Sequence, residues 1–352
     1  MAYTTIDDGS KYFTTLLYTG NATDDRNLTN DANAGDFKPD WLWLKERSST
    51  SSHQLVDSTR GSSLAVMSDS TAAEDEDANR VQAFQTNGFQ VGTASTVNQD
   101  TITMVAWQWK ANGGTTASNT DGSITSTVQA NTDAGFSIVT YTGTGSAATV
   151  GHGLGGTPDF ITTKSRNVGS RGWTTWTNAL AGNQALDLND IVAAYTSTTS
   201  WNSTTPTSTV FSVGTRVGTN ENNTTYVAYC FKSIQGYSKI GKYIGNGVSN
   251  NGTFAYTGFL PSWVMIKNTS SAASWLMFDN KRGAGSKRLY ANDQQGEDTN
   301  TADGMDFVSN GFKIRSSTGG SAASNASGST FIYMAFAESP FVSSEGVPTT
   351  AR

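Results

Sequence analysis

The 352 residues carry 15% charged side chains, against roughly 25% in typical soluble domains, and a formal charge of -6 with a pI near 5.0; the clustered Lys and Arg that bind a polyanion are missing, which excludes nucleic acid as a partner. With 36% hydrophobic residues, among them 9 Trp, 16 Phe and 12 Tyr, the chain has ample core material and disorder is excluded; its length suits two or three domains of about 100 to 150 residues. No run reaches the roughly 18 apolar residues of a spanning helix, and Cys230 alone cannot make an intrachain disulfide.

In chain order, the start "MAYTTIDDGSKYF" lacks the basic and apolar regions of a signal peptide, so the expectation is a chain made in a cytosol. The first element is "YTGN" (18–21), followed by "KPDWLWLK" (38–45), a Ser/Thr loop reaching His53, and the turn Asp57-x-x-Arg60-Gly61. Then come "NGFQVG" (87–92) and the aromatic run "TMVAWQW" (103–109). The same phrases recur as "YTGT" (141–144), "TPDFITTK" (157–164), "TVFSVG" (209–214) and "TYVAYCF" (225–231). A third set reads "YIGN" (243–246), "LPSWVMIK" (260–267), "NGFKIR" (310–315) and "IYMAF" (332–336). Pro39, Pro158 and Pro261 stand 119 and 103 residues apart, and Ala106, Ala228 and Ala335 stand 122 and 107 apart. Anchors in one order at near-constant offsets predict an internal triplication.

The anchored runs are short, rich in β-branched and aromatic residues, and bounded by Gly, Asn, Ser and Pro. They predict an all-β protein of three tandem β-sandwich units of jelly-roll or lectin-like character, over 1–113, 136–235 and 236–352. Residues 114–135 read as a Gly/Ser/Thr-rich linker, with one added strand around Ile124 and Val128, leaving the first unit freer than the other two. "AAEDEDANRVQAF" and "NQALDLNDIVAAY" are the best helical candidates, each long enough for a turn or two.

Strand alternation puts Trp41 and Trp43 on one face and Leu42 and Leu44 on the other, a strand apolar on both faces; Trp41, Phe160 and Trp263 read as one core position met three times. Trp173, Trp176, Trp201 and Trp275 have more polar neighbours and are the candidates for an exposed surface that contacts a glycan or partner. His53 and His152 lie in no metal-spaced cluster, "GHGLGGTP" (151–158) lacks the Lys-Ser/Thr of a phosphate loop, and Cys230 reads as a buried inert thiol. Glu297, Asp298, Asp303 and Asp306 offer oxygen ligands to calcium without the EF-hand spacing, against the plainer reading of a solvated acidic loop. Asp57 and Arg60 match Asp279 and Arg282, each followed by Gly, and predict paired turns; the second unit reads "WTNALAG" and keeps only Gly182. No catalytic residue and no cofactor is predicted.

The combination "KPDWLWLKERSSTSSHQLVDSTRG", "NGFQVG", "VAWQWKANGG", "GFSIVTYTGTGSAATVGHGLGGTPDFI", "YVAYCFKSIQGYSKIGKYIGNG" and "SNGFKIRSSTGG" with "YMAFAESPF" resembles a family of uncharacterised domains in virion proteins of tailed phages, especially those infecting marine bacteria. The resemblance covers nearly the whole chain. It implies a non-enzymatic virion surface protein, in capsid decoration or the tail adsorption apparatus, made in the host cytoplasm, with other virion proteins and further copies of itself as partners. The alternative is a multivalent carbohydrate-binding adhesin or tail-fibre receptor-binding protein, or less directly a glycan depolymerase, with host surface glycan as ligand; three weak sites gain avidity. Against a fibre tip, no heptad or short-period stalk repeat is present.

Overall fold

The computed structural model describes residues 4–31, 36–283, 285–299, 303–316 and 321–338. Its regular structure is almost entirely antiparallel β, with two four-residue helices at Ser95–Asn98 and Val217–Asn220. Three larger sheets share one strand order. In each, an opening strand (Phe13–Thr19, Phe136–Thr142, Ser238–Ile244) pairs with a closing strand (Thr103–Trp109, Thr225–Phe231, Thr330–Phe336). The closing strand pairs in turn with the strand that follows the proline motif: Trp41–Glu46, Phe160–Ser165 or Trp263–Asn268. A fourth strand, Gln54–Asp57, Thr174–Thr177 or Leu276–Asp279, extends each sheet outward.

The registers agree residue by residue. Trp41 faces Trp109, Phe160 faces Phe231, and Trp263 faces Phe336. This corrects one sequence anchor: Ala335 stands where Gln108 and Cys230 stand, and Tyr333 is the counterpart of Ala106 and Ala228. Because side chains alternate with period two, aligning on the alanine slid the third strand by two residues while leaving it on the correct face.

Both faces of the proline-led strands are covered, by different things. Leu42, Leu44 and Val56 turn toward a small sheet, Arg26–Leu28, Gly88–Val91 and Val81–Gln85, and form a core with Phe89 and Val91. Val264, Ile266 and Phe278 do the same with Phe312 and Ile314. The opposite face, carrying Trp41, Trp43, Phe160, Trp263 and Met265, joins one central cluster fed by all three large sheets. At its middle the closing aromatics form a triangle: Trp109 to Phe231 at 6.5 Å, Trp109 to Phe336 at 5.6 Å, and Phe231 to Phe336 at 5.7 Å between ring centres. Each such ring removes roughly 150–250 Å² from water, enough to hold three sheets back to back.

Residues 114–135 are not a spacer. Ala117–Asn119 and Ser126–Asn131 are strands that extend the second large sheet beyond Phe136–Thr142. The turn before them is held by side chains: Asp40 Oδ2 accepts from the amides of Ala111 and Gly113, both at 2.8 Å, and Gln129 Oε1 accepts from Gly114 N at 2.8 Å. A hydroxyl- and amide-rich composition reads as flexible, yet here its polar groups cap its own backbone and fix it. The first segment is likewise bonded to both others, as described below, and is not freer than they are. The two helical candidates contain extended pairs and turns instead, because Val81, Ala185 and Leu186 are drawn into β cores.

Candidate functional site

The densest polar chemistry lies where the sheets meet. After Gln54–Asp57 the chain turns tightly: Asp57 Oδ1 accepts the amides of Thr59 and Arg60 at 3.1 and 2.9 Å, and Gly61 takes a φ of 125°, a region that favours glycine. Arg60 Nε meets Asp57 Oδ2, Nη1 reaches Glu74 at 2.6 Å, and Nη2 reaches the Leu55 carbonyl at 2.9 Å. The Tyr229 hydroxyl, from the second segment, donates to Asp57 Oδ2 at 2.8 Å. Both side chains of the Asp57–Arg60 pair are fully buried. The pair survives burial because nearly every donor of the guanidinium finds an acceptor.

The third segment repeats this arrangement. Asp279 Oδ1 accepts the amides of Lys281 and Arg282, Arg282 Nε meets Asp279 Oδ2, and Arg282 Nη1 reaches Glu297 at 3.4 Å. Here the neighbour is Trp107 of the first segment, whose indole N–H donates to Asp279 Oδ2 at 2.9 Å and whose ring lies 5.3 Å from the Arg282 guanidinium. In the second segment the same positions are Thr177, Leu180 and Ala194, and the counterpart of Tyr229 and Trp107 is Met334 of the third. All four polar members are replaced together. A buried guanidinium without its carboxylate costs far more than a well-packed apolar set, so the network is kept or lost as a whole.

A second set of contacts closes a ring. Trp173 Nε1 donates to the Met67 carbonyl at 2.8 Å, and Trp275 Nε1 donates to the Asp187 carbonyl at 3.1 Å. His53 holds the equivalent place in the first segment and bonds through Nε2 to the Tyr290 carbonyl at 2.9 Å. The second segment thus grips the first, the third grips the second, and the first grips the third. Reciprocal main-chain bonds flank each grip: Arg171 N to Thr71 O with Glu74 N to Arg166 O, Ala273 N to Ile191 O with Ala194 N to Thr269 O, and Ser51 N to Gln294 O with Glu297 N to Arg47 O. The motif lysines join in. Buried Lys45 donates to Gln294 O at 3.0 Å and Lys267 to Ile191 O at 2.7 Å, while Lys164 donates to Arg171 O within its own segment. Burial lowers the pKa of all three lysines to about 8.

These placements overturn one expectation. Trp173, Trp176, Trp201 and Trp275 are not exposed; they retain 0, 3, 2 and 1% of their surface, and all nine tryptophans are buried. Their sequence neighbours are polar because the strands alternate and their loops are wet, while Trp173 and Trp275 bond to other segments and Trp176 and Trp201 meet Ala181 and Phe211 of their own. The acidic candidates are also dispersed. Glu297 binds Arg47, Arg282 and Lys287, Asp298 and Asp303 share Arg288, and Asp306 pairs with Arg315. Among the described residues no group of three His, Cys, Asp or Glu side chains is placed to hold a metal ion.

Burial works against the Glu74 and Glu297 carboxylates, but the guanidiniums of Arg166 and Arg60 at the first, and the Arg47 guanidinium with the Lys287 ammonium at the second, outweigh it and hold both pKa values below the usual range. His53 accepts from Trp43 Nε1 at 2.7 Å through Nδ1, which leaves Nε2 as its donor, and burial pushes its pKa down to about 3. Burial raises the Cys230 thiol to about 12, far from a nucleophilic thiolate. Sequence reasoning missed Glu74, Glu297, Tyr229 and Trp107 as members of the networks. One signal was present: Glu74 and Glu297 occur in the two segments that keep Asp-x-x-Arg-Gly and are missing from the one that lost it.

Open clefts remain on the surface among the described residues. One, of about 420 Å³, lies between residues 47–50 and 295–298, where the first and third segments meet, with Arg47 and Glu297 on its walls. Another, of about 610 Å³, lies between Thr4, Thr5, Asp7, Asp133 and the turn around Lys232. Among the described residues no helix is long and apolar enough to cross a membrane.

Fold and contacts together define a class: an all-β protein whose buried ionisable groups join sheets to one another. The chain belongs to the family described as "Domain of unknown function (DUF7483)", whose model matches residues 8–340. No curated protein and no solved structure matches it.

Proposed function

We propose that this chain is a non-enzymatic structural protein of a tailed-phage virion, displayed on the particle surface as a capsid decoration or a component of the tail apparatus. In this reading, internal triplication of a β-sandwich unit gave a body whose three parts lock one another. The observation that carries it is the closed ring of grips from Trp173, Trp275 and His53 to the carbonyls of Met67, Asp187 and Tyr290. A ring of this kind resists opening at any one joint, as a protein held on a particle requires. It also engages in assembly the side chains that could have served as acid, base or aromatic platform. The resemblance of its phrases to virion proteins of tailed phages supports the same reading, as does the low charge of the chain. Other virion proteins and further copies of the chain are the partners it implies. The adhesin alternative has no exposed tryptophan to draw on. Labelling purified particles with antibody against this chain and viewing them by electron microscopy tests the proposal: regular decoration of capsid or tail is expected, and absence from the particle overturns it.

A further inference from the structure

Each grip between segments is made by the residue that precedes the fourth strand of its sheet, and one of the three carries a titratable ring. Trp173 and Trp275 hold their carbonyls with an indole, whereas His53 holds the Tyr290 carbonyl with an imidazole. That imidazole is fully buried and both of its nitrogens are engaged. Nδ1 accepts from Trp43 Nε1 at 2.7 Å, and an indole nitrogen can only donate. The register places Thr162 and Met265 where Trp43 stands, so the indole–imidazole pair occurs at one joint of three.

Protonation of His53 conflicts with this arrangement. An imidazolium carries hydrogen on both nitrogens, so Nδ1–H would point at the Trp43 N–H and the acceptor between them would be lost. The surrounding charges add to the conflict. Lys45, on the strand Trp41–Glu46, and Arg282, from the turn of the third segment, both oppose a further cation here. The nearby carboxylates are Asp69, whose Oδ1 accepts the His53 amide at 2.9 Å, and Asp293, on the loop after Tyr290; both act on Lys45. Asp279 is taken by Arg282. Burial raises the pKa of Asp69, so its charge is lost readily as pH falls.

We propose that the joint between the third and first segments is an acid-released latch: protonation of His53 parts residues 51–54 from residues 290–294 while the other two joints stay closed. A parted joint lets water reach both N–H groups of the imidazolium, which the closed joint cannot offer. The release is local. Arg47 and Glu297 still bridge the two segments in acid, because Arg47 and Lys287 outweigh burial and hold the Glu297 pKa below the usual range. The grips of Trp173 and Trp275 run from an indole to a carbonyl and contain no titrating group. The inference stands on the His53 joint alone and does not depend on a virion role.

Hydrogen exchange of the full chain, read by mass spectrometry at about pH 7.5 and about pH 5 and corrected for the intrinsic rate at each, tests the latch. Peptides spanning 48–54 and 290–296 report the third-to-first joint. Those spanning 70–74 with 167–173, and 190–194 with 270–275, report the other two. His53 has a pKa of about 3 in the closed joint and about 6.5 once water reaches it. Opening of the His53 joint should therefore become about 30-fold more frequent at the lower pH, with protection at the other joints unchanged. His53→Gln, and His53→Trp with the residue the other grips use, should abolish the difference. Equal loss of protection at all three joints means that acid loosens the whole chain and overturns a local latch. Unchanged protection at the His53 joint of the unsubstituted chain overturns it as well, whatever the variants do. A change that persists in both variants assigns the release to another group and overturns His53 as the latch.

Discussion

The Tyr229 hydroxyl and the Asp57 carboxylate, 172 residues apart in sequence, share a buried 2.8 Å hydrogen bond that ties the closing strand of the second segment to the turn of the first. Arg60 Nη2 meets the same hydroxyl at 3.1 Å. Tyr229→Phe removes that hydroxyl while leaving the ring stacked on Trp41, 4.5 Å away. A loss of about 1–3 kcal/mol is expected, read as a lower denaturant midpoint at unchanged slope. An unchanged midpoint would show that the bond contributes nothing.

The network should behave as a unit. Arg60→Leu alone strands Asp57 in the interior and should cost about 3–5 kcal/mol. Combining it with Asp57→Thr, Glu74→Ala and Tyr229→Met installs the set that the second and third segments use at their own junction, and should recover much of that loss. Denaturation of the single and fourfold variants tests this; additive losses would argue against coupling.

His53 predicts a pH dependence. Its pKa is about 3 in the folded chain and about 6.5 when unfolded, so the unfolded state takes up the proton first. Stability is therefore complete above pH 6.5 and declines as pH falls toward 3, by about 2 kcal/mol between pH 6.5 and 5. Burial raises the pKa of neighbouring Asp69 and works in the opposite sense, so the informative quantity is the difference from His53→Gln, which should show a flatter profile. Parallel profiles for the two proteins would remove His53 as the cause.

Trp173→Ala and Trp275→Ala should each destabilise by about 3–5 kcal/mol, from the cavity left and the cross-segment bond lost. Calorimetry would register this. Selective loss of glycan binding on an array, at unchanged stability, would be the signature of surface residues and would contradict their burial.

Calcium should leave the denaturation midpoint unmoved at millimolar concentration, because Glu297, Asp298, Asp303 and Asp306 already face guanidinium or ammonium groups. A midpoint that climbs with added calcium would reveal binding to the native state.

Much of the frame was legible in the sequence. Pro39, Pro158 and Pro261 introduce strands with one shared register, and Asp57 with Arg60, like Asp279 with Arg282, forms the turn that the spacing implies. These are local properties: a period-two pattern, a strand start, and a pair three residues apart around a glycine. The slip at Ala335 marks their limit, since alternation preserves the face and does not by itself set the step along the strand.

Sequence alone therefore determined the β class, the repeated strands, the turn pairs and the core role of Trp41, Phe160 and Trp263. Tertiary structure alone decided what covers each face. Trp173 and Trp275 read as exposed because their neighbours along the chain are polar, yet both are buried, with their indole N–H groups bonded to carbonyls more than 80 residues away. Residues 114–135 read as a spacer because their composition is soft, yet Gln129 caps Gly114 and two of their stretches pair as strands into the second sheet. Alternation tells which way a side chain points, but whether that direction ends in water or in another sheet depends on contacts between segments remote in sequence, which no local pattern encodes.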